Sequence, residues 1–89
     1  MNGIGGDLFA IVWDGQRLHG LNASGRAPRR WTREHFARYP KMPTLGWDAV
    51  TVPGTVSGWR ALSQRFGKLP FADLFEPAIK YAHDGFRVS

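Results

Sequence analysis

The apolar positions of this chain change period once, and the change separates two kinds of element. Leu8–Trp13, LFAIVW, is an unbroken apolar run of strand length. Such a run reads as a strand with two apolar faces, buried between layers. Asp14-Gly15 follows it and signals a hairpin, where a type I′ turn needs positive φ at both central residues. Residues 17–23 then return as a second strand, with Leu21 alternating less cleanly among polar neighbours. Gly3, Gly5 and Gly6 lead into the hairpin, and they imply positive φ or a very close approach to other atoms. The segment GIGGD lacks the strand before it and the helix after it that a dinucleotide fingerprint requires.

Beyond the hairpin the pattern loosens. Pro28 removes a ladder donor and favours extended backbone at Ala27. Thr32 is a fair helix N-cap with Trp31 as its staple residue, so a short helix is expected over residues 33–38. Tyr39-Pro40 stops it, and residues 41–47 read as loop. Residues 49–52 read as a third, short strand before a turn at Pro53-Gly54. From Thr55 the period becomes helical. Val56, Trp59, Leu62 and Phe66 share one face, and Gly67 suits the C′ position. Phe71, Leu74, Phe75, Ala78, Ile79 and Ala82 then form one stripe expected to be buried. Pro77 within that stripe is either a kink or a first-turn residue. Gly85 ends the helix and residues 86–88 leave extended. The pattern as a whole is α+β, a hairpin followed by helices that cover it.

Composition narrows this picture. With 89 residues the chain is at most one small domain, and it has no cysteine for disulfides or thiolate metal sites. Met1 and Asn2 lead straight into the glycine turn, which reads as a piece cut from something larger. No signal peptide is visible in the segment, and no apolar run approaches the ~20 residues of a membrane span. The net charge of +5 is local: Arg17, Arg26, Arg29, Arg30, Arg33, Arg38 and Lys41 stand with Glu34 alone between Gly15 and Trp47. Without a helix-turn-helix or RNA-recognition pattern, no nucleic acid is implied. The basic stretch reads as a solvated face or one that meets an acidic partner segment, and a non-catalytic basic binding module is the competing function.

Few side chains point to chemistry. His19, His35 and His83 are too scattered for a metal site, and no cofactor is implied. Asp7, Asp14 and Asp48 lie beside turns, where aspartate most often serves the backbone. Trp13, Trp31, Trp47 and Trp59 interleave with core positions. The polar exit of the second strand carries Asn22, Ser24 and Arg26. Arg26 sits between Gly25 and Pro28 on stiffly held backbone, where a guanidinium can hold a carboxylate bidentately. The alternative is an exposed arginine of the basic patch.

Taken in order, GIGGD-x-FA, the hairpin, N-x-SGRAP, VPGTVSGW and GKLPFADLFEPAIKYAHDGF resemble the large subunit of the γ-glutamyltranspeptidase family, which includes glutathione hydrolases and cephalosporin acylases. The resemblance spans nearly the whole chain, so residues 1–89 would be a partial large-subunit segment. It implies a fragment of an N-terminal-nucleophile hydrolase, a four-layer αββα sandwich whose precursor cuts itself into two subunits. The threonine heading the small subunit would attack the acyl amide, and water or an amine would take the acyl group. No catalytic residue is then expected among Thr32, Thr44, Thr51 and Thr55, and the segment alone would be inactive. Its partners would be the rest of the large subunit, the small subunit and a small γ-glutamyl or acyl substrate, with self-association as a further possibility for an uncovered hairpin. Typical members carry Arg-Glu in a D-x-R-E-x-A-P pattern, where the arginine holds the substrate α-carboxylate. Alignment on Ala27-Pro28 places Ser24 and Gly25 there, with Arg26 next. The substrate-binding residues implied are Arg26, with Ser24 and Asn22 shaping the site.

Overall fold

A computed structural model describes residues 3–88. The reading of Met1 and Asn2 as a bare lead-in lies outside the described residues. The chain divides into two compact units, 1–58 and 59–89.

The first unit is built on the hairpin. Strands β1 (Leu8–Trp13) and β2 (Leu18–Ala23) pair antiparallel, with Leu8 opposite Ala23 and Trp13 opposite Leu18. The turn differs from the expected type I′. Within the turn Gly15 alone has positive φ, at 99°, and the central residues are Gly15 and Gln16 instead of Asp14 and Gly15. Asp14 stands one position earlier because its carboxylate does the turn's work. Oδ1 accepts from the amides of Gln16 and Arg17 at 2.8 and 2.7 Å, and Oδ2 lies 2.6 Å from His19 Nε2. These contacts, His19 first, hold the Asp14 carboxyl well below the ordinary carboxylate range.

Burial along β1 alternates, which corrects the expectation of a strand covered on both sides. Leu8, Ala10 and Val12 are half-buried, whereas Phe9, Ile11 and Trp13 are exposed. Trp13 and its neighbour Leu18 are each more than 60% exposed, at 62% and 61%. Nothing among the described residues of this unit covers that face. No hydrophobic side chain is fully buried among the described residues.

Helix α1 (Arg33–Phe36) is capped as the sequence implies. Thr32 Oγ1 accepts from the His35 amide at 3.2 Å. Trp31 meets Phe36 edge-on with ring centroids 5.3 Å apart, which closes the staple. The helix stops two residues before Arg38. A 3₁₀ turn covers Trp47–Ala49, and the expected third strand reduces to one bridge, Val52 with Arg26. Trp47 is 92% exposed and, like Trp13, is no core residue.

Helix α2 (Thr55–Phe66) begins in the first unit and ends in the second. Gly67 follows it without positive φ. Glycine is needed there because a Cβ would run into the Ser63 carbonyl. In the second unit a 3₁₀ turn, Ala72–Phe75, leads into α3 (Glu76–Asp84). Pro77 lies in the first turn of α3, so the helix has no kink. Phe71, Phe75 and Trp59 cluster, with Phe71 edge-on to Phe75 at 4.8 Å and Trp59 tilted at 6.2 Å. The rest of the stripe is not buried: Leu74 and Ile79 are 49% and 63% exposed. Spacing placed these residues on one face, but the unit is too small to supply a second layer over it. Gly85, at φ 85°, ends α3.

Candidate functional site

The most constrained backbone of the chain lies where β2 ends. Asn22 Oδ1 accepts from the Ser24 amide at 3.0 Å, an Asx turn that bends the chain out of the strand. Thr51 Oγ1 donates to the Ser24 carbonyl at 3.0 Å. Gly25 takes φ 87°, and the Val52 amide donates to the Arg26 carbonyl at 2.9 Å. The passing segment runs so close that a Cβ on Gly25 would strike the Val52 carbonyl. Gly54 is equally tight. A Cβ there would strike the Ala23 carbonyl and lie 2.6 Å from the Gly25 nitrogen.

The first turn of α2 completes the crossing. The amides of Gly54 and Thr55 both donate to the Gly6 carbonyl, at 3.1 and 3.2 Å. Gly58 lies against the inner face of the hairpin, where a Cβ would be 2.6 Å from Leu8 Cδ2 and 2.8 Å from Ala23 Cβ. Gly6 thus serves close approach and not positive φ. Thr55 is fully buried, and its hydroxyl finds no hydrogen-bond partner among the described residues.

A cleft of about 480 Å³ opens beside this crossing. It is lined by the end of β2 with Asn22, Ser24 and Arg26, and by Gly54 and Ser57. All three residues expected from sequence therefore meet in one place. Arg26 is the only charged residue in the lining, and among the described residues no side-chain hydrogen bond or ion pair engages its guanidinium. The route to this arrangement differs from simple strand alternation. Positive φ at Gly25 breaks the period of two between Ser24 and Arg26. Ser57, whose hydroxyl donates to the Gly54 carbonyl at 2.7 Å, was not foreseen. Its only sequence signal is a place in the first turn of the helix that follows PGT.

A second cluster surrounds Asp48, which does not serve a turn as expected. Its Oδ1 lies 2.9 Å from His35 Nε2, and its Oδ2 accepts from Tyr39 Oη at 2.6 Å and Arg38 Nη2 at 2.5 Å. The Arg38 guanidinium also stands 5.0 Å from the Tyr39 ring centroid. Tyr39, then His35 and Arg38, hold the Asp48 carboxyl far below its ordinary value. The same carboxylate raises the Tyr39 hydroxyl and the Arg38 guanidinium. The cluster ties the end of α1 to the following loop and takes Arg38 out of the free basic surface. Both carboxylate oxygens of Asp48 are engaged, which suits a structural clasp better than a reaction centre. Among the described residues no group of three His, Cys, Asp or Glu could hold a metal ion, and no helix is long and apolar enough to cross a membrane.

A model of the family described as gamma-glutamyltranspeptidase matches residues 1–89. The chain belongs to the γ-glutamyltranspeptidase family. The glutathione hydrolase proenzyme of Pseudomonas aeruginosa is 51% identical over 91 residues, covering 97% of this chain and 16% of that protein. The oxamate amidohydrolase proenzyme of Klebsiella pneumoniae is 40% identical over 99 residues, covering 100% of this chain and 18% of that protein. The crystal structure of Helicobacter pylori gamma-glutamyltranspeptidase superposes with a TM-score of 0.78 at 33% identity, over 97% of this chain and 26% of that one. The chain thus spans less than a third of the length of these γ-glutamyltranspeptidase relatives. Its hairpin and helices match a fragment of a γ-glutamyltranspeptidase fold.

Proposed function

We propose that residues 1–89 are part of the large subunit of an N-terminal-nucleophile hydrolase, with an αββα sandwich completed by chain outside this segment. The whole protein cleaves an acyl amide that carries a carboxylate, by hydrolysis or acyl transfer. Its nucleophile is a threonine heading the small subunit, whose own amine acts as base. The threonines present here fit other work. Thr32 caps a helix, Thr51 bonds the β2 exit, and Thr55 is sealed from solvent. Thr44 is exposed in a loop.

The observation that carries this reading is Arg26, a lone unengaged cation in a cleft of ligand size. A guanidinium there binds a carboxylate in two parallel hydrogen bonds. Ser24 and Asn22 shape the wall, and Asn22 Oδ1 already accepts from the Ser24 amide. The relatives named for glutathione and for oxamate both act on amides that bear a carboxylate, so the same arginine serves either kind of donor. We propose further that the bare face carrying Phe9, Ile11, Trp13 and Leu18 is covered by the second sheet of the complete protein. A second copy of the chain is the alternative cover. The basic-module reading is weakened by the Arg38–Asp48 pair, which neutralises one of its cations.

The test uses two proteins. The purified 89-residue chain should show no turnover of a γ-glutamyl anilide or of oxamate, and the full-length protein should cleave one of them. Turnover by the short chain would place the nucleophile inside it and end this reading.

A further inference from the structure

We infer that Thr51 is a positioning residue that sets the direction of Arg26 in the cleft, an inference that rests on the reading of Arg26 as a carboxylate ligand. Strand alternation cannot aim Arg26, because Gly25 leaves the extended region at φ 87° and interrupts the pleat just before it. The aim must come from what holds the backbone on either side of Gly25.

Two bonds do so, and both come from one passing segment. Thr51 Oγ1 donates to the Ser24 carbonyl at 3.0 Å, which fixes the peptide plane entering Gly25. The Val52 amide donates to the Arg26 carbonyl at 2.9 Å, which fixes the plane leaving Arg26. The soft dihedrals of Gly25 lie between these two anchors. Glycine has the widest conformational freedom of any residue, so losing either anchor frees the turn. The Asn22 contact cannot replace Thr51, since it holds the Ser24 amide and leaves the Ser24 carbonyl free to rotate outward. Contact is close along the whole segment. The position of a Cβ on Gly25 is 3.1 Å from Thr51 Oγ1. Thr51 itself is exposed, so its hydroxyl is not there to fill a core. Valine at 51 would keep the shape and remove only the donor.

The experiment is kinetic and uses the full-length protein. Thr51→Val, Thr51→Ser, Arg26→Ala and the double variant Arg26→Ala with Thr51→Val are compared on γ-glutamyl-4-nitroanilide and its α-methyl ester, or on oxamate and its ester where oxamate is the donor cleaved. A misaimed binding group should raise KM for the free carboxylate about tenfold in Thr51→Val while kcat changes less than threefold. The ester should show no such rise, Thr51→Ser should restore wild-type KM, and Thr51→Val should add nothing once Arg26 is gone. An equal KM rise on acid and ester, or additive losses in the double variant, would make Thr51 a fold support and overturn the inference. A large loss in Arg26→Ala with wild-type behaviour of Thr51→Val would overturn it while leaving the Arg26 reading intact. Wild-type KM in Arg26→Ala would bring down both.

Discussion

The two faces of the hairpin are held by opposite means. On the inner side, contact is made by backbone. Gly54 and Gly58 of the PGTVSG segment lie against Ala23 and Leu8 so closely that a single methyl would collide, while Gly25, at the strand exit, is as tight against Val52. On the outer side, large apolar side chains stand in solvent, with Ile11 77% and Phe9 66% exposed. The inner side is closely packed at the strand exit, because glycines let a loop and a helix start lie flush against it. The outer side offers a surface of the kind a further layer buries. The cleft lies beside the glycine-packed crossing, and the outer face is the one proposed for a further layer.

That comparison breaks most directly at the glycines. Gly25→Ala adds left-handed strain of about 1–3 kcal/mol to overpacking of about 1–3 kcal/mol, for a total near 2–6 kcal/mol. Gly20 lies on the bare face with open space around it and no positive φ. A covering layer in the full-length protein would add at most overpacking of about 1–3 kcal/mol, so Gly20→Ala should cost less than Gly25→Ala by the left-handed strain that Gly20 lacks. Denaturant melts of the full-length protein would show the difference, and equal costs would contradict the division into two faces.

The outer face gives the next largest effect. If a second layer covers Ile11 in the complete protein, Ile11→Ala should destabilise it by about 2–5 kcal/mol. A surface position would change stability by no more than about 0.5 kcal/mol. A value in that lower range in full-length protein would mean that the face stays bare.

The Asp48 clasp sharpens the picture through pH. A carboxyl held below its ordinary value stabilises the fold fully above its unfolded pKa, about 3.9, and progressively less as pH falls through the folded value. Urea midpoints should drop below about pH 4 in the wild type. Asp48→Asn should lower the midpoint at neutral pH and flatten that acid limb. An unchanged limb would mean that the clasp contributes nothing to stability. The smallest effect is expected at Thr55. Its hydroxyl is buried without a partner, and such a group costs about 1–3 kcal/mol. Thr55→Val should gain about 1 kcal/mol, read as a higher melting temperature, and a loss would reveal a partner supplied by the rest of the protein.

What the sequence reveals follows the range of the interactions involved. The hairpin is legible because a six-residue apolar run and an Asp-Gly pair are local signals. So are the Thr32 cap, its Trp31 staple and the end of α3 at Gly85. The turn type is not, because Asp14 acts through its side chain and shifts the turn by one residue. Residues 49–52 look like a strand by composition, yet only Val52 finds a partner, and that partner lies 26 positions earlier. The Asp48 clasp is not read from the sequence, which assigns Asp48 to a turn. His35, Arg38 and Tyr39 have the i, i+3, i+4 spacing of one helix face, but spacing cannot name an acid ten residues further on. The resemblance placed Asn22, Ser24 and Arg26 together. The reason they stay together, Thr51 and Gly54 crossing over the strand exit, depends on distant contacts that no local pattern records.

The central claim is that Arg26 faces a carboxylate in the cleft, while Arg29 belongs to the exposed basic surface. It is tested most directly by kcat/KM of the full-length enzyme on an acyl donor with a free carboxylate, comparing Arg26→Ala with Arg29→Ala. Loss of a desolvated guanidinium–carboxylate contact should cost Arg26→Ala about 2–5 kcal/mol. Arg29→Ala should stay within about 0.5 kcal/mol of wild type. Near-wild-type values for both would contradict the account.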